Sequence, residues 1–173
     1  MRTRLIILAM VVALTGCSND SGSPASGNPA ASPSPATTAD SAGDGLPDPC
    51  SLLTKTEVDG ATGATFGEGA INTMVSQEHL RACDWPSAGV ATVQVLVTTV
   101  DAFDTSRQTA AQTYGSTDDV SVPKAKRAYA VKGGFLIGMD MGALYLQVSY
   151  VTAAANVAAA TRDLAAKAAA RLG

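Results

Sequence analysis

Residues 18–47 divide the chain, because no folded core can be built from them. This segment of 30 residues contains seven Ser, six Ala, five Pro and four Gly, with Leu46 as its one large apolar residue. Such a composition cannot bury enough apolar surface to offset the entropy lost on ordering. We therefore expect residues 17–47 to form a disordered tether, and residues 48–173 to form one domain around a single core.

The N-terminus has the layout of a secretory signal. Arg2 and Arg4 precede an apolar run over residues 5–13, and the sequence Leu-Thr-Gly-Cys at 14–17 follows at once. A basic start, an apolar run and small residues, in that order, are typical of a signal peptide. The run of nine residues is shorter than the roughly 20 apolar residues that a membrane-spanning helix needs.

Residues 14–17 resemble a bacterial lipobox. This resemblance implies that a lipid is added to the Cys17 sulfur, that residues 1–16 are removed, and that the new amine can be acylated. A cysteine is needed because its thiolate is the nucleophile that accepts the lipid. Two or more acyl chains, palmitate among them, anchor a protein stably where one chain would be marginal. We expect a protein held at the extracytoplasmic face of the cell membrane.

The charge of the chain argues against nucleic acid as a partner. The precursor carries 12 basic and 15 acidic residues, a formal charge of −3. Loss of Arg2 and Arg4 with the signal peptide leaves ten basic residues and a charge of −5. Affinity for nucleic acid comes largely from neutralising phosphates, which an acidic chain does poorly.

Hydrophobic periodicity over residues 48–173 predicts an α+β fold. Residues 66–79 are Gly-rich and predict no regular element. The predicted elements are a helix over 55–62, strands over 81–85 and 89–99, a helix over 101–114, a short strand over 120–122, a hairpin of 128–132 and 135–140, a strand over 143–151 and a helix over 153–172. Consecutive strands joined by short turns are antiparallel. We expect a single domain with an antiparallel sheet and helices packed on one face.

Three details support these elements. Thr54 and Glu57 form a capping-box pattern at the start of the first helix. Gly133-Gly134 is suited to the turn of the hairpin. In the last helix an apolar stripe recurs at helical spacing. Its members are Val157, Ala160, Leu164, Ala168 and Leu172.

Cys50 and Cys83 remain once Cys17 has taken the lipid. An even pair of cysteines in an exported domain predicts a disulfide. Free thiols and a metal site are the alternatives, but two Cys and the single His79 lack the paired spacing of a zinc site. We expect no metal and no cofactor.

Two motifs in the domain resemble a known family. The sequence Asp-Pro-Cys-Ser-Leu-Leu-Thr at 48–54, followed by Glu57, begins the domain, and Cys83-Asp84-Trp85 comes about thirty residues later. With the lipobox and tether before them, they resemble the actinobacterial lipoproteins classed as domain of unknown function 3558. The resemblance implies an exported, membrane-anchored protein without an established activity, so no catalytic residue is carried over.

No catalytic constellation is evident. A Ser-His-acid triad would need His79 as its base, and no nucleophile motif accompanies it. Glu57, Asp84 and Asp140 are carboxylates near structured segments, but a glycosidase needs two of them facing across a cleft. We interpret these carboxylates, and the acidic pair at 118–119, as surface charges. An enzyme is therefore not expected.

Two further features have more than one interpretation. Lys124, Lys126 and Arg127 form a small basic cluster that could touch anionic lipid, but three charges are few and we favour an ordinary solvated edge. Trp85 beside Cys83 could be a ligand platform, and we favour a core tryptophan packed on the disulfide.

We predict a non-enzymatic interaction or binding module of the cell envelope. Its partner would be an envelope protein, a glycan or a lipid. The alternative is a carrier that holds a lipid or another apolar ligand in a pocket between the sheet and the helices.

Overall fold

A computed structural model describes residues 45–173 of the chain. The predicted signal peptide, the lipidation site Cys17 and most of the predicted tether lie outside the described residues. Leu46, at the end of the predicted tether, is half-buried against the core.

Three α-helices and one short 3-10 helix are present in the described residues. Their bounds are Pro49–Ser51 for the 3-10 helix, Lys55–Thr62 for α1, Ala102–Tyr114 for α2 and Val157–Leu172 for α3. The capping box is confirmed, because Thr54 Oγ1 accepts from the Glu57 N–H and the Glu57 carboxylate accepts from the Thr54 N–H. The α1 helix ends at Gly63, whose φ of 72° is a left-handed conformation that glycine adopts without strain.

The strands form one antiparallel sheet. They are β1 (Ala70–Ile71), β2 (Leu80–Pro86), β3 (Thr92–Thr99), β4 (Thr117–Asp119), β5 (Arg127–Val131), β6 (Leu136–Asp140) and β7 (Leu144–Val151). Their order across the sheet is β1-β2-β3-β7-β6-β5-β4. The predicted α+β class, the antiparallel sheet and the single domain are confirmed.

The first face of the sheet carries the larger core. Val93, Val95 and Val97 are fully buried there, as the alternation of β3 predicts. Helices α1 and α3 pack on this face. The alanine stripe of α3 allows a close approach to the sheet, and Ala160, Leu164, Ala168 and their neighbours are buried.

The second face carries α2 and a smaller core. Phe103 and Ala110 of α2 pack there against Tyr129, Leu136 and Tyr145. The one-face arrangement of helices expected from the sequence therefore holds for α1 and α3, whereas α2 lies on the opposite side. The physical reason is that β5, β6 and β7 bring large apolar side chains to both faces, so both faces must be covered.

Two segments differ from their predictions. The strand expected over 120–122 lies earlier, at β4 (Thr117–Asp119), and Val122 instead turns its side chain into the core. The Gly-rich segment over 66–79 contains the short edge strand β1.

Cys50 and Cys83 form a disulfide, which confirms the predicted pairing. Their Cα atoms are 5.2 Å apart, and the bond ties the 3-10 helix to β2. Trp85 is 1 % exposed and belongs to the main core, which favours the core interpretation over a ligand platform. Gly69 lies so close to the indole that a Cβ there would be 2.6 Å from a ring atom.

Candidate functional site

The second face of the sheet is only partly covered. Helix α2 makes its main contacts with β4, β5 and β6. The remaining half of this face, built from β2, β3 and β7, presents a group of half-buried or nearly buried polar side chains. We call this group the amide surface. Its members are Asp84, Gln94, Gln147 and Ser149.

Strand register places these four side chains next to one another. Asp84 pairs with Gln94, and Gln94 pairs with Ser149, so the three form one row across β2, β3 and β7. Gln147 lies two residues before Ser149 on β7 and pairs with Leu96 of β3. Neighbouring positions on one sheet face lie roughly 5–8 Å apart, so the four side chains can meet a single ligand.

Asp84 is held by two side-chain amides. Asn72 Nδ2 donates to Asp84 Oδ2 at 2.7 Å, and Gln94 Nε2 donates to Asp84 Oδ1 at 2.8 Å. The Asn72 Oδ1 atom accepts in turn from the backbone N–H groups of Met74 and Val75. Because a carboxylate only accepts, this bond orients the Gln94 amide. Among residues 45–173, none donates to its Oε1 atom, which stays available as an acceptor.

Gln147 is oriented from the other side by two buried tyrosines. The Tyr145 hydroxyl donates to Gln147 Oε1 at 2.9 Å, and the Tyr129 and Tyr145 hydroxyl oxygens are 2.9 Å apart. Burial raises the pKa of Tyr145 and, less strongly, that of Tyr129, so both hydroxyls stay protonated. Among the described residues, none accepts from the Gln147 Nε2 hydrogens, which remain available as donors.

The tyrosine pair is tightly enclosed. The Phe103 ring of α2 meets Tyr129 and Tyr145 edge-on, with ring centroids 5.6 and 6.1 Å apart. Gly138 of β6 lies under the pair, and a Cβ there would be 2.5 Å from the Tyr129 ring. The side chains that orient Gln147 are therefore fixed by packing.

Of the predicted candidate residues, only Asp84 belongs to the amide surface. His79 is exposed in a loop, with Glu78 3.7 Å away. Glu57 receives two hydrogen bonds from Arg171, and these hold the pKa of its carboxyl at about 2. Asp140 lies on the same face as Asp84, but three strands away across the sheet and four residues further along it, which strand geometry puts at roughly 20 Å.

Asp140 is instead part of a separate ion-pair cluster. Burial raises the pKa of Asp140. The Gly142 N–H and the Arg127 guanidinium both donate to its carboxylate and lower the pKa by more, so the net shift is downward. Arg127 also contacts Asp104 and lies 4.3 Å from the centroid of the Phe103 ring. Its charge is thus used to hold α2 on the sheet.

The basic cluster, the acidic pair at 118–119 and the Gly133-Gly134 turn all lie outside the amide surface. Within the basic cluster, Arg127 is committed to this ion pair, while Lys124 and Lys126 remain exposed. Asp119, predicted in a solvated turn, lies on β4 and pairs with Arg107 at 2.8 Å. Gly133 and Gly134 form the predicted hairpin turn, with φ values of 90° and 71°.

Residues 45–173 contain neither a cluster of metal ligands nor a membrane-spanning helix. No group of three or more His, Cys, Asp or Glu in this part of the chain is arranged to hold a metal ion. No helix in the same range has the length and apolar character that crossing a membrane requires.

Two depressions open to solvent have linings that include no member of the amide surface. The first, of about 380 Å³, is lined by Phe135 and Val151 together with residues at the start of α3, including Ala154 and Val157. The second, of about 440 Å³, lies between the segment at 121–123 and the α3 residues Ala159 and Arg162. Between α3 and the sheet, by contrast, the side chains of Leu164, Ala165 and Ala168 are fully buried.

The fold and the amide surface together define a disulfide-closed α+β domain with an open, hydrogen-bonding sheet face. Residues 12–163 match the family described as protein of unknown function (DUF3558), and the chain belongs to that family. Neither the curated proteins nor the solved structures gave a match to this chain.

None of Gln94, Gln147 and Ser149 was identified as a site residue from the sequence. The available signal was that β3 and β7 each place polar residues opposite a face of valines and leucines. Such alternation is the normal pattern of a half-buried strand, and it does not distinguish a solvated face from a binding face.

Proposed function

We propose that this chain is a non-enzymatic binding module of the cell envelope, tethered to the extracytoplasmic face of a membrane and binding its partner through the amide surface. The observation that supports it most is the orientation of Gln94 and Gln147. Each amide is held at one end by a neighbour within the protein, and its other end is left for a ligand. Pre-oriented groups lose little entropy on binding.

Attachment through Cys17 is supported by the sequence alone. The lipobox pattern at 14–17 ends an apolar run that begins at residue 5, and a polar segment follows it. A flexible segment of 30 residues spans roughly 30 Å, which would hold the domain clear of the lipid headgroups.

The anchor is tested by comparing the full chain with Cys17→Ser in the producing cells. We expect the unsubstituted protein in the membrane fraction, with an intact mass that corresponds to a chain starting at Cys17 and carrying acyl groups. The Cys17→Ser chain should leave the membrane fraction or retain residues 1–16. Equal membrane association of the two chains, with residues 1–16 removed from both, would refute the anchor.

Binding through the amide surface is tested by placing a photo-crosslinking residue at Gln94. The same residue at Gln112, on the exposed side of α2, is the matched control. We expect a discrete crosslinked product in intact cells from the Gln94 position and none from Gln112. Products from both positions, or from neither, would contradict a partner at this surface.

The proposed module is not an enzyme. Glu57, Asp84 and Asp140 are each engaged by hydrogen bonds from other residues, and the latter two are roughly 20 Å apart. A glycosidase requires two carboxyl groups about 5–9.5 Å apart.

A carrier of an apolar ligand is the second candidate, and the depression at Phe135 and Val151 favours it. Native mass spectrometry of the purified full chain tests it, with Val151→Asp to place a charge in the depression. Val90→Asp is the matched control, because Val90 is an exposed valine outside the depression. A bound mass that is lost only with Val151→Asp would favour the carrier, and a bare mass would exclude it.

A further inference from the structure

We propose that the amide surface binds a neutral, polyhydroxylated ligand, which is the chemistry of an uncharged glycan. This inference rests on the proposed function and names the class of its ligand.

The free groups include both donors and acceptors. Gln94 offers the acceptor Oε1, Gln147 offers the donor Nε2, and the Ser149 hydroxyl can do either. A sugar hydroxyl also donates and accepts, so hydroxyls of one sugar can bond to both amides. Neighbouring hydroxyls of one ring can reach Ser149 next to them, since Ser149 pairs directly with Gln94.

The surface lacks the charge that an ionic ligand would need. Along β2, β3 and β7 the second-face positions hold no Lys or Arg, because Arg81 alternates to the first face. The one charged member is Asp84, and both of its oxygens already accept amide hydrogens. An anionic lipid headgroup or a phosphate would therefore meet a carboxylate with no cation beside it.

The flank of α2 next to the surface is also uncharged. Arg107 reaches away towards β4, where it contacts Thr117 and Asp119. Helical periodicity places Ser106, Thr109 and Thr113 on the other flank of α2, the one nearer β7. Ser106 lies close enough to Tyr145 for its hydroxyl to lower the pKa of that tyrosine, so this flank is near the oriented tyrosines.

Leu96 supplies an apolar floor between the polar groups. It is half-buried on β3, between Ala82 of β2 and Gln147 of β7 in the strand register. A sugar ring has an apolar C–H face as well as hydroxyl edges, so it can cover Leu96 while its hydroxyls bond to the amides. Leu96 also packs against the smaller core, which holds its side chain in place.

The test measures binding of the full lipidated chain, in detergent micelles, to immobilised neutral polysaccharides. Dextran, mannan and galactan are the probes, with polygalacturonate as an anionic comparator and uncharged linear oligopeptides as a peptide comparator. The variants are Gln94→Leu and Gln147→Leu, and Gln112→Leu is the control for the same change outside the surface. Thermal unfolding establishes that each variant is folded.

We expect at least one neutral polysaccharide to bind, with affinity about tenfold or more weaker in each surface variant and unchanged in Gln112→Leu. Ser149→Ala should weaken binding less than the glutamine variants do. Because it leaves the Tyr145–Gln147 bond intact, it replaces Gln147→Leu as the test if that variant fails to fold. Stronger binding of polygalacturonate than of every neutral polysaccharide would overturn the neutral class.

The remaining outcomes separate this inference from the proposed function. If only the oligopeptides bind, and Gln94→Leu abolishes that binding, the glycan class is overturned while a binding module stands. If polysaccharide binds equally to all variants, the site lies elsewhere and the inference fails. If neither class binds and the Gln94 photo-crosslink is also absent, the proposed function fails with it.

Discussion

The packed arrangement of Tyr129 and Tyr145 depends on Gly138. A Cβ at this position would lie 2.5 Å from the Tyr129 ring and 2.7 Å from the Tyr145 hydroxyl, and both tyrosines are fully buried. Neither ring can move aside without disturbing Phe103, which meets both edge-on. A glycine in the interior of a strand usually weakens it, so its use here indicates that the close approach matters more.

We predict that Gly138→Ala destabilises the fold by roughly 1–3 kcal/mol, because overpacking forces rings or backbone out of position. Chemical denaturation of the purified chain measures the change. Gly60→Ala is the matched control: nothing lies within 4 Å of its added Cβ, and alanine favours the α1 helix, so this change should be neutral or stabilising. Equal effects of the two substitutions would contradict the packing argument.

At the scale of elements, the two ends of the domain are joined by α1 and α3. Arg171 near the C-terminus donates to both oxygens of Glu57 and to the Leu52 carbonyl oxygen. Glu57 also completes the capping box of α1. One carboxylate therefore stabilises the start of the first helix and the end of the last.

We predict an acid-dependent contribution from this carboxylate. The hydrogen bonds from Arg171 lower the pKa of Glu57 from 4.5 to about 2, so its contribution is complete above pH 4.5 and is lost as the pH falls towards 2. Glu57→Gln should cost about 1 kcal/mol at pH 6, since the pair is partly exposed, and nearly nothing at pH 2.

Urea unfolding at several pH values measures this difference. Glu68→Gln, an exposed glutamate outside the helices, is the control and should not show the same dependence on pH. A constant difference between the unsubstituted chain and Glu57→Gln across pH 2–6 would refute the assignment.

The disulfide is the second link between elements. It joins the 3-10 helix to β2 across a sequence separation of 33 residues. A cross-link of this span restricts the unfolded chain and is worth about 3–4 kcal/mol in the chain-entropy account.

We expect the double variant Cys50→Ala and Cys83→Ala to lose about 3–4 kcal/mol of unfolding free energy, as urea denaturation would measure. The unsubstituted chain in reducing agent should behave in the same way, because it loses the same restriction. An unchanged midpoint in both would show that the link does not stabilise the fold.

At the scale of the whole molecule, the sheet separates two cores that α3 and α2 cover from opposite sides. The larger core contains Leu164 and the valines of β3, and the smaller one contains Phe103 with the tyrosine pair. Because α2 is the one helix that packs on the second face, local unfolding should be easier there than on the first face, which α1 and α3 cover.

We predict that Phe103→Ala costs roughly 3–5 kcal/mol and that its effect is uneven across the molecule. Hydrogen exchange should rise most over α2 and β4, and less over α3. Leu164→Ala is the paired variant and should raise exchange over α3 instead. Uniform faster exchange in both variants would show that the two cores unfold as one unit.

Much of the local structure could be predicted from the sequence. The capping box marked the start of α1, the alternation of β3 identified its buried valines, and the Gly133-Gly134 turn located the β5–β6 hairpin. Each of these signals involves residues close together in the chain. The placement of α2 was not predicted, although the nearly continuous burial of β5 and β6 corresponds to apolar runs in the sequence that are typical of strands covered on both faces.

The positions of the helices and of most strands follow from local patterns, and the pairing of Cys50 with Cys83 follows from the two cysteines that remain besides Cys17. The strand order, in which β3 lies beside β7 although four elements separate them in the chain, depends on contacts between distant segments that no local pattern encodes. That order brings Gln94 next to Ser149 and leaves them outside the area that α2 covers. The candidate site therefore exists only in the folded chain.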